Sequence, residues 1–247
     1  MTSFRMKIWR RFVNMLEEYQ VLSDLKQPER RLIRQIRSRK LTYLSVKKLA
    51  QIAKTCSSIE QQKLTGLFLE AGCALGGSTV LIASIKRKDR LLRVYDVFGM
   101  IPAPTLEDTV DVHERYKNIA QGKSVGIGGD LYYGYQENLY EKVQHNLASF
   151  GINTDRMGVK LIKGLLQDTM QLEQPVVFAH IDVDWYDPVK TSLERIFPQL
   201  VVNGSIILDD YFDWGGCRKA TDEFLADKKD QIVLDATHGS LKITKIK

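Results

Sequence analysis

Two apolar runs that end in aspartates constrain the fold of this chain most. The run Val176–Ile181 and the run at residues 205–208 are each the length of a buried strand, and a helical pattern separates them. Two parallel strands joined by one helix would bring their carboxyl ends to one edge of a sheet, where open α/β sheets bind ligands. The carboxylates expected at this edge belong to Asp182, Asp184, Asp209 and Asp210.

These clustered carboxylates predict a metal site. Burying Asp182, Asp209 and Asp210 together is costly unless a cation compensates their charge. Carboxylate oxygens and water suit Mg²⁺, Ca²⁺ or Mn²⁺ far better than zinc. We therefore expect these three residues to hold Mg²⁺ or another hard divalent cation, with Asp184 outside them as support for the ligands. Solvated acids at strand ends, without a metal, are the alternative.

The chain is long enough for one sizeable α/β domain and an appendage, since it has 247 residues. No apolar run approaches the roughly 18 to 20 residues of a membrane span, and the basic beginning of the chain lacks the apolar core of a signal peptide. Cys56, Cys73 and Cys217 form no CxxC pair, which disfavours a disulfide framework and a zinc site. A cytoplasmic protein fits these features best.

Positive charge is concentrated near the amino terminus. Residues 1–60 carry a net charge of +9, whereas the whole chain carries +6. Apolar residues recur there at helical spacing over about residues 8–19 and again from Val46, where Ser45 is the expected helix cap. We therefore expect a helical extension or lid over residues 1–62 and a catalytic domain over residues 63–247. We expect the charges to lie on solvated helix faces that contact neither nucleic acid nor a membrane. The helices would cover the site or build a homo-oligomer.

From Gly66 onward, predicted strands and helices alternate, which indicates a doubly wound α/β sheet. Two late strands, near residues 232–234 and 241–244, predict a closing hairpin. The segment at residues 101–135 is too long for an ordinary connection and contains several prolines and glycines. We expect it to be a functional loop or lid with a short helix inside it.

A glycine-rich loop follows the first strand of this region. Glycine lets a ligand approach the backbone, and the helix N-terminus that follows the loop favours anionic groups. The spacing departs from the G-x-G-x-x-G fingerprint, which disfavours a dehydrogenase. It resembles motif I of class I S-adenosylmethionine-dependent methyltransferases, in which the loop holds the methionine end of the cofactor. The candidate cofactor-binding residues here are Glu70, Ala71, Gly72, Gly76 and Ser78.

Two further acids are candidates for cofactor binding. Asp96 ends the second strand, about 20 residues beyond the glycine loop, where an acid accepts the ribose hydroxyl protons in nucleotide-binding α/β folds. Asp168 lies just past the third strand, where such enzymes commonly contact the adenine. Each residue has an ordinary alternative, because an aspartate also starts turns and caps helices.

Together, these motifs resemble the macrocin O-methyltransferase family (TylF/MycF/NovP-like). The likeness extends over about residues 41–226 and is most specific in the D-x-D-x-Y of residues 182–186, followed by the D-D-Y of residues 209–211. It implies a class I methyltransferase fold, which is a doubly wound, mostly parallel, Rossmann-like sheet of seven strands, here with an N-terminal helical extension. The remaining matching segments are residues 68–72, 76–78, 96–100, 163–164 and 180–181.

The resemblance also implies the chemistry, since members of the family are Mg²⁺-dependent and methylate sugar hydroxyls on natural products. Carried over by position, the metal ligands would be Asp182, Asp209 and Asp210, and Asp182 would also be the general base and contact the cofactor. We expect an S-adenosylmethionine- and Mg²⁺-dependent O-methyltransferase whose small-molecule acceptor offers a sugar or polyol hydroxyl. The alternatives are a catechol-type O-methyltransferase and a non-catalytic cofactor-binding protein whose helices bind a partner. Residues 101–135 and the first sixty residues are expected to shape the acceptor pocket.

Overall fold

The computed structural model of this protein describes Trp9 and residues 17–247. Its centre is a seven-stranded sheet with the strand order β3-β2-β1-β4-β5-β7-β6. The strands are β1 (Leu67–Ala71), β2 (Leu92–Asp96), β3 (Val159–Lys163), β4 (Val176–Ile181), β5 (Leu200–Leu208), β6 (Ile232–Asp235) and β7 (Leu241–Lys245).

The sheet is mixed, because six of its strands run in one direction and β7 runs in the other. Strands β1 to β5 pair with one another in parallel, while β7 is antiparallel to both β5 and β6. The predicted hairpin between β6 and β7 is therefore confirmed. The order reverses direction between β1 and β4, which is the point where sheets of this kind bind ligands.

Helices cover both faces of the sheet, as the doubly wound prediction requires. Phe68, Val177 and Ile207 face one helical layer, whereas Leu69 and Ile206 face the other. Burying a large apolar side chain contributes about 1.5–3 kcal/mol, which explains why the central strands are apolar on both faces. The helices are α1 (Gln27–Ser38), α2 (Val46–Gln61), α3 (Gly77–Ile85), α4 (Val110–Ala120), α5 (Leu139–Ser149), α6 (Leu166–Thr169), α7 (Tyr186–Ile196) and α8 (Gly215–Leu225).

The amino-terminal helices share the core of the sheet. Ser45 caps α2 as predicted, because its Oγ accepts a hydrogen bond from the backbone N–H of Lys48 at 3.3 Å. Leu49 and Ile52 of α2 are fully buried in the same apolar cluster as Phe178 of β4. Residues 17–23 are also helical, but most of the helix predicted around residues 8–19 lies outside the described residues. The domain boundary after residue 62 stays a prediction.

The long segment between β2 and β3 contains two helices, α4 and α5, and two single turns of 3-10 helix at Ile127–Gly129 and Tyr133–Tyr135. Helix α4 contacts α8, so this segment lies over the carboxyl edge of the sheet. In the part of the chain that the structure describes, no helix is both long enough and apolar enough to cross a lipid bilayer.

Candidate active site

The strand ends predicted to build the site lie side by side. The backbone N–H of Asp182 donates to the carbonyl of Ala71 at 2.8 Å, and the N–H of Asp209 donates to the carbonyl of Ile181 at 2.9 Å. These bonds extend the parallel pairing of β1, β4 and β5 just beyond the strands. The glycine loop and both aspartate pairs therefore meet at one edge of the sheet.

Two glycines of the loop, Gly72 and Gly77, make room for backbone from other parts of the chain. Gly72 has a φ of +82°, and a Cβ there would lie 1.9 Å from the carbonyl oxygen of Asp182, so only glycine fits. A Cβ on Gly77 would lie 2.4 Å from the carbonyl oxygen of Leu41, which accepts a hydrogen bond from the Gly77 N–H at 3.0 Å. Gly77 thus makes room for the backbone ahead of α2, whereas the sequence predicted room for a ligand.

Asp96 holds the glycine loop in shape. Its Oδ2 accepts hydrogen bonds from the N–H groups of Cys73 at 2.7 Å and Ala74 at 3.3 Å, and its Oδ1 accepts one from Phe98 at 2.6 Å. Burial raises the pKa of Asp96, although these three donors and a further bond to the Cys73 side chain oppose the shift. The Asp96 carboxylate therefore fixes the loop through both of its oxygens.

A cavity of about 230 Å³ joins the glycine loop to the acid cluster. Gly72 and Asp96 line one part of it, and Asp182 and Asp184 line another. Asp168 is exposed and does not line this cavity. Other residues that line the cavity are Tyr95, Val97, Tyr133, Gly164, Leu165, Leu166 and Gln167.

Glu70 and Ser78 are buried beneath the loop. The Glu70 carboxylate bonds to Nδ1 of His180 at 3.0 Å and accepts a hydrogen bond from the hydroxyl of Thr79. Burial opposes the charged form of His180, but the bond to Glu70 and the charges of Glu70, Asp182 and Asp209 together outweigh it and raise the histidine pKa. Glu70 therefore supports the loop from below, since neither it nor Ser78 lines the cavity.

Three carboxylates form a cluster at the strand ends. Asp182, Asp184 and Asp210 each offer an oxygen within 4.8 Å of the other two. Burial, together with the charge of Asp209, raises the pKa of Asp182 to about 8, and burial also raises the pKa values of Asp184 and Asp210. Oδ2 of Asp210 is buried and has no hydrogen-bond partner among the described residues. A cation bound to these oxygens would offset the repulsion between the carboxylates, lower their raised pKa values and give Oδ2 of Asp210 a partner. These residues therefore fit a hard divalent metal.

Asp209 lies beside a lysine instead of joining Asp182. The ammonium group of Lys48, on α2, donates to Oδ2 of Asp209 at 2.9 Å and to its backbone oxygen at 3.1 Å. The hydroxyl of Ser240 donates to Oδ1 at 2.9 Å, and Lys48 also bonds Oδ2 of Asp213 at 2.7 Å. The charges of Asp209 and Asp213 raise the pKa of Lys48 against the effect of burial.

Lys48 was missed because the amino-terminal helices were expected to carry no chemistry. Lys48 immediately precedes Leu49, which lies on the apolar stripe of the helix that begins after Ser45. Lys47 is its neighbour, however, and nothing in the sequence distinguishes the two. The structure does, because the Lys47 side chain is 42% exposed and pairs with Glu17, whereas that of Lys48 is 13% exposed.

Residues 101–108, which follow β2, line the cavity on one side and are called the cover below. The indole N–H of Trp185 donates to the carbonyl of Pro102 at 3.0 Å, and the N–H of Tyr186 donates to the Asp108 carboxylate at 2.8 Å. Trp185 is buried against Trp214 at a centroid distance of 6.0 Å. These two bonds tie the cover to the end of β4.

A tyrosine rim borders the cavity on the side of this cover. The rings of Tyr43 and Tyr133 lie 5.9 Å apart, and those of Tyr132 and Tyr133 lie 4.5 Å apart. The guanidinium of Arg115 lies 5.7 Å from the Tyr132 ring. The charge of Arg115 lowers the pKa of Asp184 against the larger effect of burial, so this cation lies within electrostatic reach of the acid cluster.

Comparisons with known proteins agree on one family. A family profile described as macrocin-O-methyltransferase (TylF) matches residues 3–237. Demethyldecarbamoylnovobiocin O-methyltransferase of Streptomyces niveus is 24% identical over 202 residues, which cover 78% of this chain and 71% of that protein.

Two solved structures share the fold. The O-methyltransferase NovP superposes with a TM-score of 0.70 at 20% identity, over 84% of this chain and 83% of that one. CalS11, a calicheamicin methyltransferase, superposes with a TM-score of 0.58 at 14% identity, over 95% of this chain and 92% of that one.

The family profile spans nearly the whole chain, including the glycine loop, the cavity and the acid cluster. The resemblance in sequence rested on the loop after β1, on short segments at the ends of β2 and β3, and on the acids after β4 and β5. The chain belongs to the macrocin O-methyltransferase family and is an S-adenosylmethionine-dependent O-methyltransferase.

Proposed function

We propose that the enzyme methylates a sugar or polyol hydroxyl of a natural product with the help of Mg²⁺ or another hard divalent cation. The observation that carries this proposal is the cluster of Asp182, Asp184 and Asp210 beside the glycine-loop cavity. An unpartnered, buried carboxylate oxygen such as Oδ2 of Asp210 is costly unless a cation binds it. The family and its novobiocin relative support a natural-product acceptor.

The cavity would hold the cofactor through the strand ends of β1, β2 and β3. Gly72 and Asp96 both line the cavity, and Asp96 remains the proposed ribose contact. Gln167 and Leu165 line the cavity where Asp168 was expected to do so. We therefore assign the adenine side of the pocket to this stretch and not to the Asp168 carboxylate.

The acid cluster would prepare the acceptor hydroxyl for attack. A sugar hydroxyl is a poor nucleophile, and a bound divalent cation lowers the pKa of the hydroxyl that it coordinates. Asp184 and Asp210 would hold the cation. Asp182, which borders both the cavity and the cluster, would accept the hydroxyl proton as general base while also contacting the metal.

Methyl transfer then requires little beyond alignment. Bound S-adenosylmethionine would supply the methyl group, which would pass to the acceptor oxygen while the carbon–sulfur bond breaks and leaves its electron pair on sulfur. Two residues that line the cavity, Pro102 on the cover and Trp185 after β4, would help to enclose the reactants. Holding the acceptor oxygen in line with the methyl group and sulfur supplies much of the acceleration.

The tyrosine rim is the proposed acceptor site. The face of a sugar or of an aromatic ring can pack on Tyr43 and Tyr133. Tyr43 remains 50% exposed, so its ring has room for a ligand. Because such a rim accepts both shapes, a catechol-type acceptor is the second candidate.

Turnover with radiolabelled S-adenosylmethionine tests the proposal. Glycosides and catechols should be compared as acceptors, with Mg²⁺ and with a chelator, in the wild type and in Asp210→Asn. The exposed Asp227→Asn is the matched control. We expect methylation of a glycoside that requires the cation and Asp210. Equal turnover with Mg²⁺ and with the chelator would contradict the proposed metal. Turnover of catechols alone would contradict the proposed acceptor class.

A further inference from the structure

The cavity contains one carboxylate that neither the glycine loop, nor the cover, nor the acid cluster uses. Five aspartates line it, namely Asp96, Asp108, Asp182, Asp184 and Asp187. Asp96 holds the glycine loop, Asp108 accepts hydrogen bonds from the N–H groups of Thr105 and Tyr186, and the pair directly after β4 belongs to the acid cluster. Asp187 has no hydrogen bond or ion pair with any residue that the structure describes.

Asp187 lies on the same side of the sheet as residues 165–167, the stretch assigned above to the adenine. It belongs to the first turn of α7, which packs against α6. Arg195 of α7 ties the two helices together, because its guanidinium donates to the backbone carbonyls of Leu166 at 2.7 Å, Gln167 at 2.7 Å and Met170 at 2.8 Å. Both helices begin at the carboxyl edge of the sheet, so Asp187 and Gln167 line the cavity from one helical layer.

The 6-amino group of adenine needs a hydrogen-bond acceptor in this layer. That group donates N–H bonds, and an ionised carboxylate only accepts them. Asp168, the acid expected to contact the adenine, is exposed and does not line the cavity, whereas Asp187 is half-buried and lines it. A carboxylate acceptor makes a hydrogen bond roughly twice as strong as a neutral one, so an acid at this place would favour adenine strongly.

We propose that Asp187 recognises the adenine of the cofactor by accepting a hydrogen bond from its 6-amino group. Asp187 is then a binding and specificity residue that takes no part in proton transfer. Pro188, which also lines the cavity, restricts the backbone of the first turn of α7 and so helps to fix the position of Asp187. The proposal rests on the cofactor placement given above and is independent of the metal and of the acceptor class.

Calorimetry with two ligands, S-adenosylhomocysteine and its 6-deamino analogue, measures this recognition without turnover and without a metal. The analogue carries hydrogen in place of the amino group, and we expect the wild type to bind it about tenfold more weakly or less. Asp187→Ala should bind S-adenosylhomocysteine about tenfold more weakly than the wild type does but bind the analogue equally well, so that its preference disappears. Asp187→Asn keeps a neutral acceptor and should retain part of the preference.

Asp168→Ala is the matched control, since Asp168 is an exposed aspartate of α6 that does not line the cavity. It should keep the full preference for S-adenosylhomocysteine, and loss of that preference would return the adenine to Asp168 and overturn the proposal.

The two ligands also separate recognition from a structural role. Equal weakening of both ligands in Asp187→Ala, an unchanged preference in that variant, or no preference in the wild type overturns the role of Asp187. Failure of the wild type to bind either ligand overturns the cofactor placement itself. If Asp187→Ala does not fold in thermal melts, Asp187→Asn alone decides, and an undiminished preference in that variant overturns the proposal.

Discussion

Neutralising Asp182 should stabilise the metal-free protein at alkaline pH. Burial and the neighbouring charge of Asp209 raise the pKa of Asp182 from 3.8 to about 8. A carboxyl group whose pKa is higher in the folded state binds its proton more tightly when folded, so the free energy of unfolding falls as the pH rises between these two values. Asp182→Asn keeps the shape of the side chain but has no carboxyl proton to lose, so its free energy of unfolding should not fall in this way as the pH rises.

The size of the effect follows from the pKa difference. Between pH 5 and pH 8 the full shift corresponds to about 4 kcal/mol, at roughly 1.4 kcal/mol per unit. Asp182 is half-buried and borders the cavity, so water screens part of the penalty and we expect about 2 kcal/mol. For a chain of this length that free energy corresponds to about 4–8 °C in Tm.

Thermal melts in the presence of a chelator measure this difference. The wild type and the surface control Asp227→Asn should lose about 4–8 °C more than Asp182→Asn between pH 5 and pH 8. Adding Mg²⁺ at pH 8 should restore the wild type and the control but have little effect on Asp182→Asn. Equal losses in all three proteins would refute the raised pKa and, with it, the strain that a cation is proposed to relieve.

Three substitutions, two of them with a control variant, test separate parts of the site. Asp182→Asn should lower kcat by about 10²-fold or more while calorimetry shows nearly unchanged S-adenosylhomocysteine affinity, and retention of most activity would exclude its role as base. Asp96→Ala should weaken that affinity by at least about tenfold, whereas Asp168→Ala, at an exposed position, should not change it. Gly72→Ala should lower the free energy of unfolding by about 2–4 kcal/mol in urea denaturation, because its Cβ would meet a backbone oxygen. Gly122→Ala, which has open space around it, should cost only about 1 kcal/mol.

The parts of the fold that depend on local pattern were predictable. The apolar runs of β4 and β5, the helix between them and the acids after them follow from periodicity and spacing within about 30 residues. Because the carboxyl ends of neighbouring parallel strands lie at the same edge of a sheet, the proximity of Asp182 and Asp210 was also predictable. Ser45 was found for the same reason, since a cap is recognised from its own helix.

The parts that depend on distant contacts were not predictable. Lys48 and Asp209 are 161 residues apart, and only the packing of α2 against the sheet brings them together. The same holds for Gly77, whose close neighbour is the carbonyl of Leu41 and not a ligand. Asp184 was expected outside the metal ligands, yet its backbone turns into the left-handed region at a φ of 60° and its carboxylate joins Asp182. A chain spacing of two residues does not determine which acid faces the cluster.

The central claim is that the carboxylate cluster holds a single divalent cation beside the methyl donor. A crystal structure with S-adenosylhomocysteine and Mn²⁺, examined by anomalous diffraction, tests it most directly. The account predicts one manganese peak coordinated by aspartates of the cluster, Asp182 among them. Two peaks, or no peak in a crystal that contains the cofactor product, would contradict it.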